Sequence, residues 1–141
     1  MTPITLTIPG PPRPQLRHRK GRNGRYYDPS SQDKGRVRTH MLVQVMQMGL
    51  ERTELAQKRI LEVDLTFGMP IPNSWSQKRS ESVEGKPHTS KPDIDNLRKL
   101  VFDAGNGILW PDDSIIAKDS ARKIYSKEPY TIIHMKEVQN A

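Results

Sequence analysis

The 141-residue chain contains no cysteine. Disulfides, cysteine-ligated zinc and thiol catalysis are therefore excluded. Apolar residues are few at 33%, and aromatic residues fewer at 6%. The core must be modest, with long polar segments outside it. A chain of this length suits one compact domain, residues 1–141. Long apolar runs are missing too, and Met1 leads into an alternating strand pattern rather than an apolar signal segment. No myristoylation-type start or prenylation-type end is visible. Membrane insertion and secretion are not expected, and the cytoplasm is the default compartment.

Positive charge is what the chain does have. Lys and Arg number 23 against 16 Asp and Glu, for a formal charge of +7. A basic balance favours polyanionic partners, nucleic acid before an anionic membrane. Twelve prolines and nine glycines add rigid turns. Dimerisation would help so small a core by burying more apolar surface.

The periodicities predict a mixed α/β (α+β) architecture. In "ITLTIPG", Ile4, Leu6 and Ile8 alternate with Thr5 and Thr7, giving a strand stopped at Pro9-Gly10. "RYYDP" suits a short strand. Residues from about Ser31 to Lys58 read as a helix with Leu42, Val45, Met46, Gly49 and Leu50 at helical spacing, and Gly49 as the point where it ends or bends. "RILEVDLTFGMP" alternates as a second strand ending near Pro70. A second helix runs from about Asp93 to Asn106, with Ile94, Leu97, Val101, Ala104 and Ile108 as its buried stripe. "SIIAKDSARKIYSK" and "YTIIHMKEV" close the chain as strands. The expected fold is a small mixed sheet with two main helices on it.

Two basic loops interrupt this pattern, at about 11–30 and 72–92. The first carries Arg13, Arg17, Arg19, Lys20, Arg22 and Arg25, with Tyr26 and Tyr27 at its end. Its basic run continues through Lys34, Arg36 and Arg38. The second carries Lys78, Arg79, Lys86 and Lys91, with Trp75 and His88. Most charge runs are solvated loops. In a DNA-acting protein both would track phosphates, giving salt-dependent affinity without sequence preference. Trp75 suits packing at the loop base or stacking on an unpaired base. The four histidines are scattered, and none is assigned to a metal. Trp110, Phe102 and the methionines of the first helix suit the core or a dimer interface.

Against this background, "SKPDIDNLRKLVFDAGNGILWPDDS" gathers Asp93, Asp95, Asp103, Asp112 and Asp113. Pro92 bars helix before it, so Asp93 falls at the N-cap position and Asp95 in the first turn. The plain reading is that Asp93 caps and Asp95 complements the helix dipole. The other is a shared cation. Asp93 and Asp95 converge only if Asp93 lies outside the regular helix, as Pro92 requires. Of Asp112 and Asp113 on an extended chain, one can face a site while the other caps the turn. Carboxylates without Cys or His at ligand spacing suit a hard cation such as Mg²⁺, which takes one to three carboxylates plus phosphate oxygens. Lys99, one turn after Asp95, would stabilise charge at the phosphate or pair with Asp95 or Asp103.

"HTSKPDIDNLRKLVFDAGNGILWPDDSII" resembles the signature of the RusA family of Holliday junction resolvases, many of them phage- or prophage-encoded: D-x-D-N-L-x-K, a short helix, then D-D before a strand. "ITLTIPGPPRP" and "PIPNSWSQKR" resemble the family's first strand with its Pro-Pro turn and a loop common among phage members. The resemblance implies a small homodimer in a bacterial or phage-infected cell. Such enzymes use Mg²⁺, or Mn²⁺ in its place, to nick four-way DNA junctions symmetrically in recombination, repair or phage DNA processing. It carries the acidic ligands to Asp93, Asp95 and Asp113 and the functional lysine to Lys99, with Asp112 the less certain ligand. One departure is Gly105, where many members have Leu. The rivals are a non-catalytic nucleic-acid-binding protein and a metal-dependent phosphatase.

Overall fold

The computed structural model describes residues 1–138. In chain order the elements are β1 (Ile4–Pro9), β2 (Arg19–Lys20), β3 (Tyr26–Tyr27), α1 (Ser31–Gln47), α2 (Arg52–Leu55), β4 (Leu61–Pro70), α3 (Gln77–Val83), α4 (Ile94–Gly105), β5 (Ile116–Ser126) and β6 (Tyr130–Glu137). A single 3₁₀ turn, Asp113–Ile115, leads into β5.

The alternating strands bury their apolar sides in one core. Ile4, Leu6 and Ile8 of β1 meet Leu61, Val63, Leu65, Phe67 and Met69 of β4 there, with Ile133 and Met135 of β6. The sheet order is β1-β6-β4-β5. β6 is antiparallel to β1 and β4, and β4 is parallel to β5. The polar side of β4 is laced by ion pairs instead. Lys118 and Lys136 each lie 3.4 Å from Glu62, and Arg122 lies 2.9 Å from Asp64.

Both main helices cover the apolar side, where α1 packs on α4 and β1 and α4 packs on β5. α1 stops earlier than the expected Lys58. Gly49 adopts φ 71°, Leu50 N–H donates to Val45 O and Gly49 N–H to Met46 O. This is a Schellman ending, for which glycine is the cheapest residue. The buried stripe of α1 is Val37, Met41 and Val45, while Met46 is 75% exposed. The expected stripe was one position out of phase at Met46. The expected loop at 72–92 contains α3, whose Ser76 hydroxyl caps the Arg79 N–H and which buries no residue. A helix without a buried face leaves no apolar periodicity to read.

The parallel pairing of β4 and β5 positions the acidic segment. The chain must return from the end of β4 to the start of β5, and α4 makes that return. Its N-terminal end therefore lies beside the far end of β5, where Lys123 Nζ donates to Ser90 O and Pro92 O. Its C-terminal end lies beside the 3₁₀ turn that opens β5. Arg38 of α1 satisfies the carbonyls there, donating to Ala104 O and Asn106 O at 2.9 and 3.0 Å.

The first basic loop is an ordered arm. β2 and β3 pair as a short antiparallel hairpin. Its root is fixed by Gln15 N–H on Asn96 O of α4 and by Leu16 N–H on Ser30 Oγ. Asp28 is the hub, accepting from Lys34 Nζ, Gln15 Nε2 and Ser30 N–H. The Lys34 hydrogen bond holds its carboxyl down at about 2. A depressed carboxyl stabilises the fold above its ordinary value and loses that contribution as pH falls through the folded value. We expect Asp28→Asn to cost about 1–2 kcal/mol at pH 6 after allowance for solvent screening. The gap from wild type should close between about pH 4 and pH 2 in urea denaturation. A gap that persists at the acid end would show that Asp28 acts through shape and not charge.

Candidate active site

Asp93 is the N-cap residue of α4, with φ −69° and ψ 145°, and the preceding Lys91–Pro92 bond is cis. Position and role separate here, because the Asp93 side chain makes no cap hydrogen bond. Its Oδ1 instead accepts from Lys91 Nζ at 2.8 Å. That bond holds the Asp93 carboxyl below the usual range, with a further contribution from Lys123. Asp95 follows in the first turn, exposed, with Oδ1 on its neighbour Asn96 N–H at 3.0 Å. Lys91 is raised by Asp93 first and by Asp95 as well, so one ammonium answers both carboxylates. Asp93 is not consumed by capping, Asp95 keeps its second oxygen free of the bond to Asn96, and a cation already sits with the pair.

The second acidic group lies at the other end of α4. Asp112 is spent on structure: its Oδ2 accepts the Ser114 N–H at 3.0 Å and caps the 3₁₀ turn. Asp113 is half-buried, and burial pushes its carboxyl up, helped by the like charges of Asp112 and Asp103. Lys34 stands 3.7 Å from Asp103. These observations separate the two neighbours, with Asp112 as the cap and Asp113 as the carboxylate held under strain.

The three aspartates expected to converge do not do so within one protomer. Asp93 and Asp95 occupy the start of α4, and Asp113 the far side of its end. The 12 residues of α4 span about 18 Å. Among the described residues, no group of three or more His, Asp or Glu side chains is close enough to hold a metal ion. Convergence was expected from local chain direction, which is blind to a crossover that carries the two motifs to opposite ends of the sheet. Asp103 pairs, as expected of it, but with Lys34 and not with Lys99. Lys99 is exposed and makes no ion pair among the described residues.

The basic residues divide into free and occupied. Arg17, Arg19, Lys20, Arg22 and Arg25 are exposed on the hairpin arm with no ion pair among the described residues. Tyr26 and Tyr27 are exposed beside them at 74% and 49%. Arg13 approaches Asp33 at 3.8 Å. Lys34 and Arg38, expected in the same run, are committed inside the fold, and Arg36 donates to Pro9 O at 2.7 Å. In the second segment Lys78 and Lys86 are exposed and make no ion pair among the described residues, and Lys91 holds Asp93. The Arg79 guanidinium lies 3.6 Å from the Trp75 ring centre.

Three residues had no signal in the sequence. Lys123 pins Ser90 and Pro92 through backbone carbonyls, which leave no pattern. Tyr125 and His88 stack edge-on at 4.8 Å, and Tyr125 meets Trp75 at 5.6 Å. Only the sheet brings these rings together.

Two comparisons relate the chain to known proteins. The family model described as Endodeoxyribonuclease RusA matches residues 9–136. The chain is also 32% identical over 141 residues to the uncharacterized protein YqaN of Bacillus subtilis (strain 168), covering 96% of each chain. The matched span takes in the hairpin arm, both acidic groups and the sheet except nearly all of β1 and the end of β6, and the chain belongs to the RusA endodeoxyribonuclease family.

Proposed function

We propose that the protein is a Mg²⁺-dependent, structure-selective endodeoxyribonuclease that resolves four-way DNA junctions by paired symmetric nicks, working as a homodimer. Recombination, repair or phage DNA processing would supply its substrate. The observation that carries this reading is the pairing of two features. Two exposed carboxylates, Asp93, which makes no cap hydrogen bond, and Asp95, which spends one oxygen on Asn96 N–H, sit at the root of a hairpin whose five cations make no ion pair among the described residues.

Asp93 and Asp95 fit a hard dication as an open site. The donors are all oxygen, and Lys91, which holds Asp93 at 2.8 Å, would have to give way for the ion to bind there. Mg²⁺ is commonly held by one or two carboxylates with water and substrate phosphate completing its shell. When bound, the ion supplies Lewis acidity toward a phosphate oxygen and lowers the pKa of a water. Mn²⁺ suits the same donors. Lys99, one turn along α4, faces the charge that develops on the phosphate. α4 keeps Asp113 away from Asp93 and Asp95 within one protomer, so Asp113 would join the same ion only if a partner subunit supplied it. A two-fold dimer supplies two equivalent sites for two opposed cuts.

Nicking of a synthetic four-way junction with and without Mg²⁺ tests the reading. Metal-dependent, paired nicks on opposed strands support it. Tight junction binding with no nicking in either metal favours the non-catalytic binding protein. That rival draws on the lack of a three-carboxylate cluster among the described residues of one protomer.

The arm makes a separate prediction. Replacing Arg19, Lys20 and Arg22 together by Ala should lower the slope of log affinity against log salt by about one unit for each phosphate no longer neutralised. Binding titrations between about 50 and 200 mM salt measure it. An unchanged slope would remove the arm from the DNA interface.

A further inference from the structure

Beside the α4 N-terminus lies a cavity of about 510 Å³, within the range of ligand pockets. Its walls come from four segments that are distant in sequence. The rings of Trp75, Tyr125 and His88 form one side, and Pro12, Pro72 and Pro92 come from the three loops that meet there. Prolines have no backbone N–H and little freedom, so much of the wall is rigid and free of donors. Among the described residues no carboxylate lines the cavity, whereas the exposed cations Arg13 and Lys91 do. Arg79 covers the Trp75 ring without being part of the lining, so it braces that ring from outside. His88 is 9% exposed, and its buried Nδ1 has no partner among the described residues. Burial and the nearby Lys123 hold the ring below the usual histidine range.

We propose that this cavity receives one unstacked nucleobase of the bound DNA, and that it is the part of the protein that reads sequence. Flat rings and proline faces suit a base, which stacks without needing charge. The flanking cations suit the phosphates on either side of it. An acidic ligand without a flat face would leave the rings unused, and a basic one would meet Arg13 and Lys91. The location gives the pocket its purpose. Lys91 and Pro92 line it and lead directly into Asp93, so a nucleotide held there is next to the carboxylates. Branch points offer bases with a stacking face already exposed, which lowers the cost of removing one from the stack. The inference rests on the nuclease reading, since it takes the ligand to be junction DNA.

The test uses four-way junctions carrying 2-aminopurine at each position around the branch point in turn, bound to the whole protein in EDTA. Binding is followed independently by gel shift. One position, adjacent to the cut, should change its fluorescence on binding. Trp75→Leu should abolish that change and weaken binding by about tenfold. It should also flatten the dependence of nicking on the base at that position. His88→Ala, which spares the ring of Trp75, should reduce the base preference while leaving binding nearly intact. Unchanged 2-aminopurine at every position, with the junction bound, overturns the pocket and leaves the nuclease reading standing. Failure to bind junctions at all overturns that reading instead. If Trp75→Leu breaks self-association in sedimentation while fluorescence is unaffected, a second copy fills the cavity and the proposal is wrong.

Discussion

Asp95→Asn is expected to lower junction nicking by at least about a hundredfold while leaving metal-free junction binding equal or slightly tighter. The two effects have opposite signs for one reason. Without a cation, the carboxylate at the start of α4 repels the phosphodiester that the arm attracts, so its removal costs nothing in affinity. With a cation, the same carboxylate would be a ligand, and amide oxygen is a weaker donor. Asp113→Asn should show the same loss. The separation of the two along α4 adds a sharper expectation: mixing the two inactive proteins should restore nicking. In a mixed dimer one site carries both substitutions and the other carries neither. Sites built within one protomer would leave both dead. Mixed protein that stays inactive, although sedimentation shows exchange of subunits, would confine each site to a single chain. Asp95→Asn that nicks as wild type would end the metal reading altogether.

Gly105→Ala is expected to be the most destabilising single substitution proposed for this chain. Gly105 ends α4 in a buried position, and the Trp110 indole rests on it. A Cβ there would come within 2.5 Å of Trp110 Cζ2 and 2.8 Å of Cε2. The indole cannot yield cheaply. It is 1% exposed, packs edge-on against Phe102, and its Nε1 donates to Asn106 Oδ1 and Phe102 O. Overpacking of this kind costs about 2–3 kcal/mol, which corresponds to a fall of roughly 10 °C in Tm. Calorimetry measures it, and Trp110→Phe in the Gly105→Ala background should recover part of the loss. A shift within experimental error would mean that the indole moves freely. The glycine is thus explained by packing within the chain.

The fold was legible wherever a face is buried. Period-two alternation gave β1 and β4, and the helical stripe of α4 located Asp93 at its N-cap through Pro92. Legibility failed where burial does not decide. α3 buries nothing and so has no period. The β2–β3 hairpin is two short exposed strands, whose pairing owes more to Gly21, Gly24 and its docked root than to apolar contrast. The aspartates were legible as a group, because a basic chain that concentrates carboxylates is unusual. Their spatial relation was not. Two motifs flanking one helix look adjacent on paper, and only the parallel pairing of β4 with β5 sends them to opposite ends. Sequence also could not distinguish Asp112 from Asp113, since the difference is one cap hydrogen bond.

The return from β4 to β5 has a consequence for how the protein is made. Asp93, Asp95, Lys99 and Asp113 all lie between those two strands, and parallel pairing over such a separation is a late, slow step in folding. The hairpin arm leaves the ribosome first, but its root docks on Asn96 of α4, so its anchorage waits for the same crossover segment that carries Asp93 and Asp95. The two acidic groups reach opposite ends of the sheet only once β5 has emerged and paired with β4.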